Sequence, residues 1–254
     1  MGFREGLWLP VLTLALVACG DPKESPSTPD AGGEVDAAVE VPSASCKRKN
    51  PLREPFFGDL HAHTALSLDA NLQGTRLRPA EAYRFARGET VGLPPYDASG
   101  NPMRSLKLAR PLDFVALSDH AEFLGLVTTC LTPGLPGHDS TECEQYRQQP
   151  DTAFIFLNAQ LAQDQSVTIY QPPCTEENAF CSSAALSAWN EVKEEAEAAN
   201  DESEECAFTA FVAYEWSASP GTKNLHRNVI FRNQRVPALP FTYLDGSEEE
   251  ELWD

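Results

Sequence analysis

The sequence predicts an α/β fold built on parallel strands. Two apolar runs, residues 112–120 (LDFVALSDH) and 206–216 (CAFTAFVAYEW), end in polar residues. Buried parallel strands look like this when their functional groups gather at the C-terminal ends. Helical patterns at 78–87 and 183–199 separate these runs from each other and from an aromatic-led strand at 54–64, and such alternation is the signature of the class. No internal repeat is present.

In chain order, the first element is a targeting segment. Arg4 is followed by a short apolar run at 7–17 and by Leu16-Val17-Ala18-Cys19, which resembles a bacterial lipobox. The expectation is a signal peptide over 1–18 and a lipid on Cys19, giving an exported protein anchored to a bacterial membrane, periplasmic or at the cell surface. An ordinary cleaved signal is the alternative. Residues 20–45 are rich in Pro, Ser, Gly, Asp and Ala and hold no aromatic residue. They cannot bury enough apolar area to order themselves, so 19–45 is expected to be a tether reaching on the order of 30 Å. The folded domain is expected over 46–254.

Within that domain, 78–87 (RPAEAYRFAR) is predicted helical, with Pro79 in the first turn and Ala82, Phe85 and Ala86 as its apolar stripe. Residues 91–105 are rich in Pro, Gly and Asn and are predicted to be loop. Residues 128–181 are predicted to be an irregular insertion with one helix near 152–163. The helix at 183–199 is expected to bury Leu186, Trp189, Val192 and Ala196, with Ser182 or Ser183 as its cap. Residues 224–233 (NLHRNVIFRN) are predicted as a further strand.

Seven cysteines are present, and six remain when Cys19 is set aside. An even number in an exported chain suggests disulfides. Short loops favour Cys130–Cys143 and Cys174–Cys181; a zinc knuckle competes with this, although neither gap has the usual spacing. The formal net charge of −19 argues against broad binding to a nucleic-acid backbone, which needs a basic face. It leaves room for a small anionic substrate held by a metal.

The chemistry centres on Phe56-Phe57-Gly58-Asp59-Leu60-His61-Ala62-His63. Alternate residues of a strand share a face, so Asp59, His61 and His63 are expected together, with Leu60 and Ala62 packed on the other side. Two imidazoles so placed can chelate zinc, iron or manganese, and Asp59 can orient one ring. Asp119-His120, Glu215 and His226 end or follow the other strands, where α/β sites form. The fifth histidine, His138, is expected in solvent.

The motifs GDLHAHTALSLD, DFVALSDHAEFLG and FTAFVAYEWS followed by NLHRNVIF resemble the successive motifs of the PHP superfamily (polymerase and histidinol phosphatase). GTRLRPAEAYRFARGE and RPLDFVALSDHAEFLG are similar almost word for word to its DUF3604 branch. The resemblance covers about 55–253 and is loosest over 128–181. It implies a partial distorted β/α barrel (TIM-like) with two or three divalent metal ions (Zn, Mn or Fe). By resemblance, His61 and His63 bind the first metal, Glu215 bridges first and second, and His226 completes the second. Asp69 and His120 serve the third. Asp119 is a ligand or an outer acceptor with a catalytic role. Arg76, Lys223 and Arg227 are candidates to clamp an anion, or are ordinary surface charge.

The implied activity is metal-dependent hydrolysis of a small phosphorylated or other anionic substrate, most simply a phosphate ester. The alternatives are cleavage of another ester or amide, and a non-catalytic surface lipoprotein with a structural or vestigial metal site. The family pattern continues with a later histidine and an Asp-x-His, and no histidine follows His226. The chain is therefore expected to be the N-terminal portion of a longer domain.

Overall fold

Strand β1 (Gly58–Ala62) opens a mixed α/β structure, seen in a computed structural model that describes residues 53–162, 174, 180–220, 223–246 and 248–253. The expected signal, Cys19 and the tether lie outside the described residues. Helices α1 (Leu68–Leu72) and α2 (Pro79–Ala86) follow β1. After them come β2 (Val91–Tyr96), β3 (Pro102–Leu106) and β4 (Phe114–Leu117). Helices α3 (Leu124–Leu131), α4 (Thr141–Gln148), α5 (Pro150–Leu161) and α6 (Phe180–Ala199) precede β5 (Thr209–Ala218) and β6 (Leu225–Ile230). A 3-10 turn occupies Glu249–Leu252.

The main sheet has the order β1-β4-β5-β6 and curls into a half barrel, as the α/β, partial-barrel expectation requires. β1, β4 and β5 are parallel, but β6 runs antiparallel to β5. The further strand expected over 224–233 is thus antiparallel, because six residues separate β5 from β6 and a parallel return needs a crossover of about a dozen residues. The outer face of β5 packs on α6. Trp189 is buried edge-on against Tyr214, with ring centroids 5.9 Å apart, and its Nε1 donates to Pro237 O at 3.0 Å. The buried arc of α6 runs through Ala184, Ala188, Trp189, Val192, Ala196 and Ala199. Leu186 lies outside that arc and is exposed, contrary to expectation. The helix also starts at Phe180, ahead of both serines expected to cap it.

Two segments read as irregular are ordered. Residues 91–105 form an antiparallel hairpin, β2 with β3. Prolines are tolerated there because a two-stranded ribbon has free edges where no N–H is needed. Its turn is fixed by Asp97, whose carboxylate accepts Ser99 N at 2.9 Å and Asn101 N at 2.8 Å. Residues 128–161 hold the end of α3, all of α4 and all of α5, more helix than expected. The prolines and the four cysteines of 128–181 misled here. The Cys130–Cys143 disulfide ties the end of α3 to α4, so the intervening turn looked like an insertion. Cys174–Cys181 is also bonded. Both disulfides are those the short loops favoured, and they exclude a zinc knuckle at these four residues.

Gly125 sets the contact between α3 and α6, since a Cβ there would lie 2.3 Å from Cys181 O. We expect Gly125→Ala to destabilise the fold by about 1–3 kcal/mol, a drop of several degrees in melting temperature by calorimetry. An unchanged melting temperature would show that this interface yields easily.

Candidate metal centre

The centre is built at the C-terminal ends of β1, β4 and β5 and at the start of β6. β1 ends at Ala62, so His63 already lies in the turn toward α1. That turn is locked to β4 through Asp119. Its fully buried carboxylate accepts the Thr64 backbone N–H, and also Thr64 Oγ1 at 2.8 Å. Ser67 adds a second lock. Its Oγ donates to Asp69 Oδ1 at 2.7 Å and accepts His120 N at 3.2 Å.

Glu215 is the hub. It sits in β5 with no exposed surface, and its position extends to His120 through a parallel bridge. Glu215 Oε2 lies 2.9 Å from His61 Nε2 and 2.8 Å from His63 Nε2. Its Oε1 contacts His226 Nδ1. His120 Nδ1 is 3.7 Å from Oε2 and 2.6 Å from Ser217 Oγ. On the far side, His63 Nδ1 lies 3.0 Å from Asp69 Oδ1, and His120 Nε2 lies 3.8 Å from Asp69 Oδ2. The rings form a row, with centroids 5.0 Å apart for His61–His63, 4.7 Å for His63–His120 and 5.3 Å for His120–His226.

These contacts define three overlapping groups that can hold a divalent ion: His61, His63 and Glu215; His63, Asp69 and His120; and His120, Glu215 and His226. The ligand atoms within each lie within 4.8 Å of one another. Imidazole nitrogens mixed with carboxylate oxygens suit zinc, manganese or iron. A tetrahedral ion bound at about 2.0–2.2 Å spaces its ligands by about 3.3–3.6 Å, so small side-chain movements fit the donor set to an ion. Groups that share ligands would bring any ions they held close together.

The charges of the site hold one another in place. Burial works against a charged His63, but its hydrogen bonds to Asp69 and Glu215 prevail and raise its pKa to about 10. Burial likewise opposes charge on Glu215, yet the hydrogen bonds to His226 and His63 hold it well below the usual carboxylate range. Asp69 is depressed in the same way, its burial outweighed by His63 and Ser67. Burial dominates at His120 and lowers it to about 4 despite Glu215 and Asp69. It also dominates at Asp119, raising it to about 6 against the Thr64 hydrogen bonds.

The residues expected from sequence are placed as follows. His61, His63, Asp69, His120, Glu215 and His226 converge. Asp119 touches Thr64 and belongs to none of the three groups. Arg227 does not join them either. It follows His226 in β6 and so takes the opposite face, where its Nη2 donates to Glu249 Oε2 at 2.6 Å. Arg76 stacks on Tyr96, 3.9 Å from the ring centroid, and Lys223 is exposed in the turn before β6. Asp59 orients no imidazole; its Oδ1 accepts His61 N at 2.9 Å. Leu60, expected in packing, is exposed. His138 is not a solvent residue: its side chain is 15% exposed and pairs with Asp139. Sequence reasoning missed Thr64, Ser67 and Ser217. Ser217 was within reach, since it lies two residues after Glu215 in the same strand and shares its face.

Fold and centre together define an α/β protein whose half-barrel rim carries a histidine–carboxylate cluster able to bind metal. The chain belongs to the DUF3604 family, described as a protein of unknown function, which it matches over residues 50–254. No curated protein and no solved structure matches it.

A metal needs neutral imidazoles, and His63 without metal keeps its proton up to about pH 10. Metal uptake should therefore release protons, and the affinity for Zn²⁺ or Mn²⁺ should rise from about pH 6 to about pH 9, by about tenfold per unit for each proton displaced. The stability of the metal-free protein runs the other way. The His63 contribution is complete below the ordinary value of 6.5 and is lost as pH rises through about 10. Titration calorimetry in buffers of different ionisation enthalpy measures the proton release; an affinity independent of pH would contradict this account.

Proposed function

We propose that this chain is a PHP-like metal-dependent hydrolase acting on phosphate esters. The observation that carries the reading is the overlap of three ligand groups through Glu215, His63 and His120. A structural metal site needs one closed ligand set. A cluster with shared ligands suits a reaction in which both attacking and leaving oxygens must be stabilised.

Exposure supports the same reading. The His61 side chain is 53% exposed and that of His226 39%, whereas structural metal sites are closed to solvent. The histidine row is thus open at its two ends and buried at Glu215.

Two or three bound divalent ions would polarise a phosphoryl oxygen and lower the pKa of a water. His61, His63 and Glu215 would hold one ion, and His120, Glu215 and His226 another; Asp69 would join His63 and His120 around a third. Glu215 would offset the charge of neighbouring ions while keeping its place through burial. Asp119 keeps the β1–α1 turn in register by accepting Thr64, which fixes where His63 points. Arg227 is given no part in the reaction, because Glu249 holds it on the other face.

We further propose that the protein is exported and anchored through lipid on Cys19. Two disulfides fit an oxidising compartment. No helix among the described residues is long and apolar enough to cross a membrane.

The test is turnover of bis-p-nitrophenyl phosphate and p-nitrophenyl phosphate by metal-loaded protein, both as this chain and extended by any sequence that continues past Asp254. Hydrolysis is expected, and His63→Ala should reduce it by at least about a hundredfold. Cleavage of sulfate esters or amides instead would move the reaction class. No turnover of any of these by a fully loaded protein would favour a metal-binding lipoprotein without catalysis.

A further inference from the structure

His61 is the weakest-supported member of the cluster. It sits on β1, an edge strand with exposed residues along most of its length. Its imidazole is half exposed, and its own strand contributes no second histidine once β1 stops at Ala62. The β1–β4 register is irregular between Asp59 and Ala62, so the ladder alone does not hold its backbone.

The peptide unit joining Leu60 to His61 is gripped at both ends. Its N–H donates to Asp59 Oδ1 at 2.9 Å. Its carbonyl, Leu60 O, accepts Asn228 Nδ2 at 3.1 Å. A carbonyl only accepts, so the amide nitrogen of Asn228 must face it. The peptide is planar and rigid, so fixing both ends fixes the plane from which the His61 side chain departs.

Asn228 comes from the opposite end of the sheet. β6 and β1 are the two edges and share no ladder. Among the described residues, the Asn228–Leu60 contact is the only hydrogen bond between them. Cross-strand register places Asn228 opposite Glu215 and His226 opposite Ser217, so Asn228 lies on the face that carries the ligands. Its Oδ1 is buried with no partner among the described residues, so the hydrogen bond to Leu60 O is what directs its side chain.

We infer that Asn228 is a positioning residue for metal binding: it clasps β1 to β6 across the mouth of the half barrel and presets His61 against Glu215. This rests on the metal reading above and adds a residue that touches no ion. Preorganisation of this kind reduces the ordering cost of binding, and partners of metal ligands typically change metal affinity by about 10–100-fold.

The test is a double-mutant cycle on Zn²⁺ or Mn²⁺ affinity in the full chain, using Asn228→Ala, His61→Ala and the pair. Asn228→Ala should weaken binding by about 10–100-fold. In the His61→Ala background the same change should have almost no further effect, because its action runs through His61. Asp59→Ala, which releases the other end of the peptide, should behave alike. Wild-type protein that binds metal while Asn228→Ala binds equally well overturns the inference alone. A loss that adds fully to that of His61→Ala overturns it too, since it would mark general damage to the fold. Wild-type protein that takes up no divalent ion overturns the metal reading and this inference with it.

Discussion

Glu215 is a carboxylate with no exposed surface, and burying such a charge is tolerable only when it is paired and hydrogen-bonded. Three imidazoles touch its two oxygens and a fourth stands just beyond them. The rest of the structure follows from supplying those imidazoles. β5 must lie inside the sheet, so that β4 brings His120 from one side and β6 brings His226 from the other. The sheet must curl, so that β1 can reach back with His61 and His63. Trp189 and Tyr214 on the outer face give β5 the packing that keeps Glu215 in place.

The supporting contacts share one logic. Asp119 and Ser67 bind backbone N–H groups at the ends of β1 and β4, where parallel strands run out of ladder partners. Each therefore satisfies a donor and fixes the direction of a ligand-bearing turn. The same economy explains the buried disulfide at Cys130–Cys143. Closing a loop of this size stabilises a fold by about 3 kcal/mol through the unfolded chain, where helices α3 and α4 meet. The net charge of −19 places a repulsive field around any anionic ligand, so bound cations would be needed to reverse it locally.

Much of this was legible in the sequence. Two apolar runs ending in Asp119-His120 and near Glu215 read as strands because burial on both faces leaves no alternation. His61 and His63 were visible as a pair, and Asp69, His120, Glu215 and His226 came from ordered motifs. What was hidden depended on tertiary placement. Residues 91–105 looked like loop because proline and glycine punctuate local structure, and nothing local reports that a free-edged hairpin tolerates them. α5 was expected near 152–163, but α4 was obscured by prolines and by cysteines whose bonding depends on how the helices meet. Asp59 alternates with His61, yet its side chain turned back to its own backbone. Arg227 looked like an anion clamp until β6 showed which face it occupies. Asn228 gave no signal, because its partner Leu60 is 168 residues away.

The central claim is that one buried carboxylate organises adjacent metal sites. Anomalous scattering from crystals loaded with Mn²⁺ or Zn²⁺ tests it most directly. The account predicts at least two peaks flanking Glu215, about 3.5–4 Å apart as in two-ion hydrolytic centres, one bound by His61 and His63 and another by His120 and His226. A single peak away from Glu215, or peaks confined to surface carboxylates, would contradict it.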